Sequence, residues 1–252
     1  MKELKDRRIW VTGASSGIGK ALACELADRG SVVIASGRNK ERLEETCGHN
    51  GDRMHALPLD ITDKTANREA AAWIEEKFGA LDISVLNAGT CEYVDVKKFD
   101  SDMIERVTRI NYMGFVYGIE VSLDLLRKGK DPYLVGMSST VAYTGLPRAE
   151  AYGTTKAAIR HFLQSLRVDL TPEGIDVSII CPGFVETPLT DLNDFPMPMI
   201  ITKERAAKYI ADGMRRRKHE IAFPPMFVFM LKSLAALPSP IRNKVLVKMM
   251  KK

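Results

Sequence analysis

The chain has 252 residues, 45% hydrophobic and 27% charged, so it can bury a substantial core and is too evenly mixed for a disordered segment or a bundle of membrane spans. Its net charge of +5 is lopsided: residues 203–252 carry thirteen Lys/Arg against three acids (Glu204, Asp212, Glu220), and the preceding part is net acidic. Four scattered cysteines (Cys24, Cys47, Cys91, Cys181) and a charged start without an apolar leader read as reduced thiols in a cytoplasmic chain.

In chain order, short apolar runs alternate with longer helical periodicity. Strands are expected at 8–12, 32–36, 54–57, 83–86, 133–137, 176–180 and 220–223, and helices at 17–29, 40–47, 63–78, 102–128, 150–170 and 203–217. Strands apolar on both sides and alternating with helices imply parallel crossovers, with helices on both faces. The fold class is therefore α/β, a Rossmann-type doubly wound parallel sheet of about seven strands, which binds ligands beyond the carboxyl ends of its strands.

The first such end reads Val11-Thr12-Gly13-Ala14-Ser15-Ser16-Gly17-Ile18-Gly19 and opens the first helix. Gly13 permits a tight turn, while Gly17 and Gly19 let backbone approach a pyrophosphate and let the helix pack on the sheet. Together with Ser15, Ser16 and Ile18 they form a loop whose helix N-terminus offers N–H groups and a positive dipole to phosphates. A strand-to-helix turn that merely needs small residues is the plainer account, and the strand–turn–helix context favours the cofactor. The second strand ends Ala35-Ser36-Gly37-Arg38-Asn39, with no carboxylate before Glu41. An NAD site places an acid there for the ribose hydroxyl, and an NADP site a cation for the 2′-phosphate. Arg38 thus predicts NADP over NAD, with Ser36 or Asn39 adding hydrogen bonds. The competing account leaves Arg38 a plain surface residue.

Tyr152 and Lys156 stand four apart at the start of a long helix and share one face, so phenol and ammonium can enter one cleft. A fixed cation would lower the tyrosine from its usual pKa of about 10. Such a tyrosine can protonate a developing alkoxide, or accept the proton in reverse. Tyr93 and Lys97 have the same spacing, so spacing by itself means little. Ser139 stands thirteen residues before Tyr152, at the end of a strand, whereas Ala80 holds that place before Tyr93, which sits in a polar loop. The Tyr93–Lys97 pair is read as coincidental.

Thr12-Gly13, Gly17-Ile18-Gly19, Asn87-Ala88-Gly89, Asn111, Ser139, Tyr152, Lys156 and Pro182-Gly183 occur in the order and spacing of the short-chain dehydrogenase/reductase family, which the chain resembles over residues 5–223. The resemblance implies that Ser139 hydrogen-bonds a substrate carbonyl oxygen and that Tyr152 protonates it while hydride arrives from the nicotinamide. It implies that Lys156 binds the nicotinamide ribose and lowers the tyrosine pKa, and that Asn111 holds a water linking Lys156 to solvent. It assigns Asp60 to the adenine and Asn87 and Gly89 to the adenosine side. The segment Pro182-Gly183-Phe184-Val185-Glu186 leads to Thr187 at the carboxamide. A homodimer or homotetramer, through helices 113–128 and 152–170, is implied as well. The chain departs from the family at Leu86, where a second asparagine is common, at Ala142, where glycine is frequent, and at Thr154 and Thr155, where smaller residues are usual. None removes a reacting group, and the spacing selects Ser139 over Ser138.

His49, His55, His161 and His219 are isolated, so no metal is expected. Residues 1–223 read as one cofactor-binding and catalytic domain. Within it, residues 188–202, with two prolines, two methionines and bulky apolar residues including Phe195, read as a substrate lid over a lipophilic pocket. A core-packing loop is the alternative. Residues 224–252 form a basic, apolar extension, too short in its charge-free run to span a bilayer. It could pack on a neighbouring subunit or the substrate pocket, or make a peripheral contact with an anionic membrane surface. Nucleic acid is not expected, since the basic run lacks a recognised module. The leading reading is an NADP(H)-dependent oxidoreductase acting on a lipophilic ketone, aldehyde or alcohol. The alternatives are a non-enzymatic NADP-binding regulatory module, or an epimerase or dehydratase on the same fold.

Overall fold

Seven strands pair in parallel in the order β3-β2-β1-β4-β5-β6-β7. They are β1 (Arg8–Thr12), β2 (Val32–Gly37), β3 (Met54–Pro58), β4 (Ile83–Leu86), β5 (Tyr133–Met137), β6 (Asp176–Pro182) and β7 (Glu220–Phe223). The computed structural model describes residues 2–191 and 193–250, without the side chains of Met249 and Met250. Leu192 of the expected lid, and Lys251 and Lys252 of the tail, lie outside the described residues.

The helices are α1 (Gly17–Asp28), α2 (Lys40–Cys47), α3 (Lys64–Phe78), α4 (Ser101–Thr108), α5 (Gly114–Arg127), α6 (Glu150–Leu170), α7 (Lys203–Arg215), α8 (Pro225–Ala236) and α9 (Ser239–Met250). Alternation along each strand sorts the core into two layers. Ile9, Val11, Val33 and Ala35 face α1 and α7 on one side. Trp10, Ile34 and Leu134 face α3, α5 and α6 on the other. Side-chain oxygens set several helix starts: Asp63 accepts from the N–H groups of Thr65 and Ala66 before α3, and Thr202 from that of Arg205 before α7.

Every expected strand is present, three of them one or two residues longer at the carboxyl end. The single helix expected over 102–128 is instead two, joined by a π-turn at Arg109–Met113 in which the Gly114 N–H reaches back to the Arg109 carbonyl. The extra residue in that turn is masked by the continuing apolar period on either side. Its cause lies in the tertiary structure, in the contacts of Asn111.

At the opposite, amino edge of the sheet, Asp82 is buried and joins β1 to β4. It accepts from the Arg8 N–H at 2.9 Å, Arg8 Nη2 at 2.8 Å and the Lys130 N–H at 2.7 Å. Burial would raise this carboxyl, but the hydrogen bonds from Arg8 and Lys130 outweigh it and hold the group below the usual aspartate range. Asp82→Ala leaves these donors without their acceptor and is expected to cost about 3 kcal/mol at neutral pH, read from urea unfolding. The depressed carboxyl contributes stability above the ordinary carboxylate range that is lost on acidification, so the gap between wild type and variant narrows as pH falls. A cost below about 1 kcal/mol would contradict this role.

Candidate active site

The carboxyl ends of β1, β2, β4, β5 and β6 surround one cleft of about 590 Å³, on the side where strand order reverses between β1 and β4. At its floor the loop after β1 is tightly built. Gly13 and Gly17 have φ of +70° and +53°, in the left-handed region. A Cβ on Gly19 would stand 2.1 Å from the Gly13 carbonyl oxygen, so no larger residue fits without opening the loop. Asn87 locks the loop from below: its side-chain amide donates to the Thr12 carbonyl at 2.9 Å, and its own N–H donates to the Thr12 hydroxyl at 3.0 Å. Ser15, Ser16 and Ile18 line the same floor. This cradle of small residues at a helix N-terminus fits a dinucleotide pyrophosphate.

Arg38 lines the far end of the cleft and is exposed there. Its expected helpers differ. Ser36 is fully buried and its hydroxyl accepts the Trp10 indole N–H at 2.8 Å, so it takes part in the core. The Asn39 side-chain oxygen caps α2 by accepting from the Arg42 N–H at 2.7 Å. Asp60 lines the cleft, with one oxygen receiving the Thr62 N–H and hydroxyl. Gly89, Pro182 and Thr187 line it too. Gly183 and Val185 do not. A Cβ on Gly183 would meet the Phe227 ring of α8 at 2.7 Å, and Val185 is buried in a bridge to Ile201.

At the other end, α6 carries Tyr152 and Lys156 to the cleft wall, with the Lys156 Nζ 5.7 Å from the Tyr152 ring centre. Lys156 donates to the Met137 carbonyl at 2.9 Å, and a Cβ on Gly89 would lie 3.3 Å from its Nζ. Burial lowers Lys156 to about 8, against a smaller opposing effect of Cys91 and Cys181. Burial also raises Tyr152, helped by the Cys91 thiol and opposed by a hydrogen bond with Ser139. Desolvation is the largest of these effects, and it holds Tyr152 above the ordinary tyrosine range. Ser138 lines the cleft and donates to the Lys156 carbonyl at 2.8 Å, which anchors α6, whereas Ser139 is buried behind it, its hydroxyl donating to the Pro182 carbonyl at 3.4 Å and accepting from the Val141 N–H at 3.3 Å.

Asn111 is fully buried behind Gly89 and does not line the cleft. Its oxygen accepts from the Thr90 N–H at 2.7 Å, and its amide donates to the Thr90 carbonyl at 2.9 Å and to the Thr155 hydroxyl at 3.1 Å. Both amide hydrogens are committed to protein partners.

Sequence reasoning missed several residues here. Tyr93, set aside as coincidental, is half-buried near Tyr152; it packs edge-on against Phe195 at 5.4 Å and donates to the Asn193 side-chain oxygen at 2.8 Å. Lys97 is exposed, and the tyrosine packs outside the cleft-lining residues, close to Tyr152. Cys91 lies between Tyr93 and Tyr152, a position no local pattern marks. Arg109, on the π-turn, and Arg106, paired with Glu92, also line the cleft. Their charges are ordinary for an exposed helix face, so only the fold reveals them.

The model of the short chain dehydrogenase family matches residues 7–194. An uncharacterized oxidoreductase of Myxococcus xanthus is 33% identical over 244 residues, covering 96% of each chain. One of Staphylococcus epidermidis is 30% identical over 214 residues, covering 85% of this chain and 91% of that one. Among solved structures, the 3-ketoacyl-(acyl-carrier-protein) reductase of Brucella melitensis complexed with NADH superposes with a TM-score of 0.80 at 24% identity, over 87% of this chain and 96% of that one. A short chain dehydrogenase/reductase of Burkholderia phymatum in complex with NAD gives 0.84 at 19% identity, over 92% and 94%. With a family match over most of its length and a relative 33% identical across nearly all of both chains, the chain belongs to the short chain dehydrogenase family, a family of oxidoreductases.

Proposed function

We propose that the protein is an NADP(H)-dependent oxidoreductase that interconverts a carbonyl and an alcohol on a lipophilic ketone or aldehyde. The observation that carries the reading is one cleft that brings Tyr152 and Lys156 of α6 together with the glycine loop and the exposed Arg38, with Ser139 buried at the end of β5. Bound in this cleft, the cofactor's nicotinamide supplies the hydride. The Gly13–Gly19 loop receives the pyrophosphate, with Asn87 behind it, and Arg38 forks onto the 2′-phosphate. Asp60 and Gly89 line the adenosine side, while Pro182 and Thr187 border the carboxamide, with Gly183 and Val185 shaping that strand end from behind.

Ser139 donates to the substrate oxygen and Tyr152 gives it a proton. Burial keeps that proton on the phenol until a negative oxygen develops within reach. Lys156, charged below its lowered pKa, holds the ribose hydroxyls and favours the phenolate left after transfer. Asn111 acts through its neighbours as a positioning residue. The aromatic cluster of Tyr93, Phe184 and Phe195 supports a lipophilic substrate, and residues 188–202 serve as its lid. An epimerase or dehydratase would need a carboxylate opposite Tyr152, and the groups that shift Tyr152 are the Ser139 hydroxyl and the thiols of Cys91 and Cys181. The free cysteines suit the cytoplasm, and a homodimer or homotetramer would form through α5 and α6, where Val168 is left exposed.

Tyr152→Phe should bind NADPH like wild type yet lose at least about a hundredfold in kcat on a panel of lipophilic ketones. Turnover that survives the substitution would overturn the assignment. Arg38→Glu should reverse a preference for NADPH over NADH, as measured by fluorescence titration of both; a wild type that binds NADH more tightly would refute the role given to Arg38. Because the Lys156 charge is present below about pH 8 and lost above it, kcat/KM for NADPH should fall as pH rises through that value. A profile that is flat or rising there contradicts the Lys156 role.

A further inference from the structure

The last two helices leave apolar surface without a protein partner. In α8 the inner face is Phe227, Val228 and Leu231, all buried against the domain. The outer face carries Met226, Phe229 and Met230, at i, i+3 and i+4, which are 60%, 68% and 49% exposed. A helix apolar on both sides is normally covered on both sides. After it in the chain, α9 exposes Ile241, Val245 and Val247, with Lys244 and Lys248 interspersed.

The helix is held firmly. Phe227 packs against Phe184 at 5.3 Å, and Lys232 pairs at 2.5 Å with Glu220, which also binds Arg160 of α6 and the Tyr143 hydroxyl. From Phe227 a run of rings continues through Phe184 and Phe195 to Tyr93 beside Tyr152. The inner face of α8 is thus tied by packed rings to the neighbourhood of Tyr152, and its outer face is held exposed on the far side of the helix.

Charge selects the occupant. Residues 224–252 contain Lys232, Arg242, Lys244, Lys248, Lys251 and Lys252 and no acid at all. A second copy of this segment, brought face to face in a two-fold contact, would set like charges together without a compensating carboxylate. A surface that is apolar beneath and anionic above complements it. Among the described residues no helix is long and apolar enough to cross a membrane, so contact would be interfacial.

We infer that the outer face of α8, with α9, is a docking surface for an anionic phospholipid bilayer. Docking itself is independent of the proposed chemistry; only the consequence, that the substrate is a lipophile drawn from the bilayer, rests on that reading.

The test is co-sedimentation of the full chain with vesicles of phosphatidylcholine alone or mixed equally with phosphatidylglycerol. Wild type should partition at least about tenfold more onto the anionic vesicles and be released by high salt. Phe229→Glu/Met230→Glu and Lys244→Glu/Lys248→Glu should each lose about tenfold of that partition. Both pairs are expected to keep NADPH affinity and turnover of a water-soluble ketone, which shows that they are folded. Tyr152→Phe should sediment like wild type, so loss of the activity reading and loss of the docking reading are separately visible. Equal partition onto both vesicle types, no partition, or unchanged binding by the two variants would overturn the inference. So would a dimer that Phe229→Glu/Met230→Glu dissociates without any vesicle binding by wild type, which would give the face to a second copy.

Discussion

The buried amide of Asn111 ties together the three segments from which the reaction centre is made. Through both polar groups of Thr90 it fixes the loop after β4, and through the Thr155 hydroxyl it fixes α6 between Tyr152 and Lys156. It reaches both only because the backbone around it bulges into a π-turn. A regular helix would turn the side chain elsewhere and leave the Thr90 N–H and carbonyl without this partner, and unpaired buried backbone groups are costly. The bulge is a local loss that the tertiary hydrogen bonds offset. Gly89 sits against the Asn111 oxygen and Lys156, where a Cβ would stand 3.0 and 3.3 Å from them and force a neighbour to shift.

Around this clamp desolvation decides the electrostatics. Lys156 is buried with a backbone carbonyl as its hydrogen-bond acceptor, and Tyr152 is half-buried beside thiols and a serine hydroxyl. With no carboxylate among these neighbours, desolvation prevails over charge: the ammonium becomes more acidic and the phenol less so. A phenol that holds its proton until a negative oxygen forms within reach is suited to act as the acid in carbonyl reduction. Position and burial thus produce the same preference, and both trace to the way α6 is anchored by Ser138 and Asn111.

Much of this was legible in the chain itself, because the informative patterns are local. The seven strands are short apolar runs, and the nucleotide loop needs glycine where φ is positive or backbone meets backbone. Tyr152 and Lys156 share a helix face by spacing alone, and thirteen residues separate Ser139 from Tyr152. What stayed hidden depends on partners distant in sequence. The π-turn is dictated by Thr90 and Thr155, Ser36 is claimed by Trp10, and Gly183 makes room for Phe227. Tyr93 sits in a loop with no periodicity, so nothing nearby indicated that it would pack against Phe195 close to Tyr152. The direction of the Tyr152 shift depended on depth of burial, which a spacing pattern does not encode.

In the proposed reaction hydride reaches a carbonyl carbon while Tyr152 protonates the oxygen. The most direct measurement uses NADPH deuterated at the transferring position of its nicotinamide, a lipophilic ketone, and mass spectrometry of the product. The account predicts an alcohol carrying deuterium on its carbinol carbon from the wild type, and none above background from Tyr152→Phe. NADPH that binds tightly while no labelled alcohol forms from any ketone would contradict it, and would leave a nucleotide-binding protein in place of an enzyme.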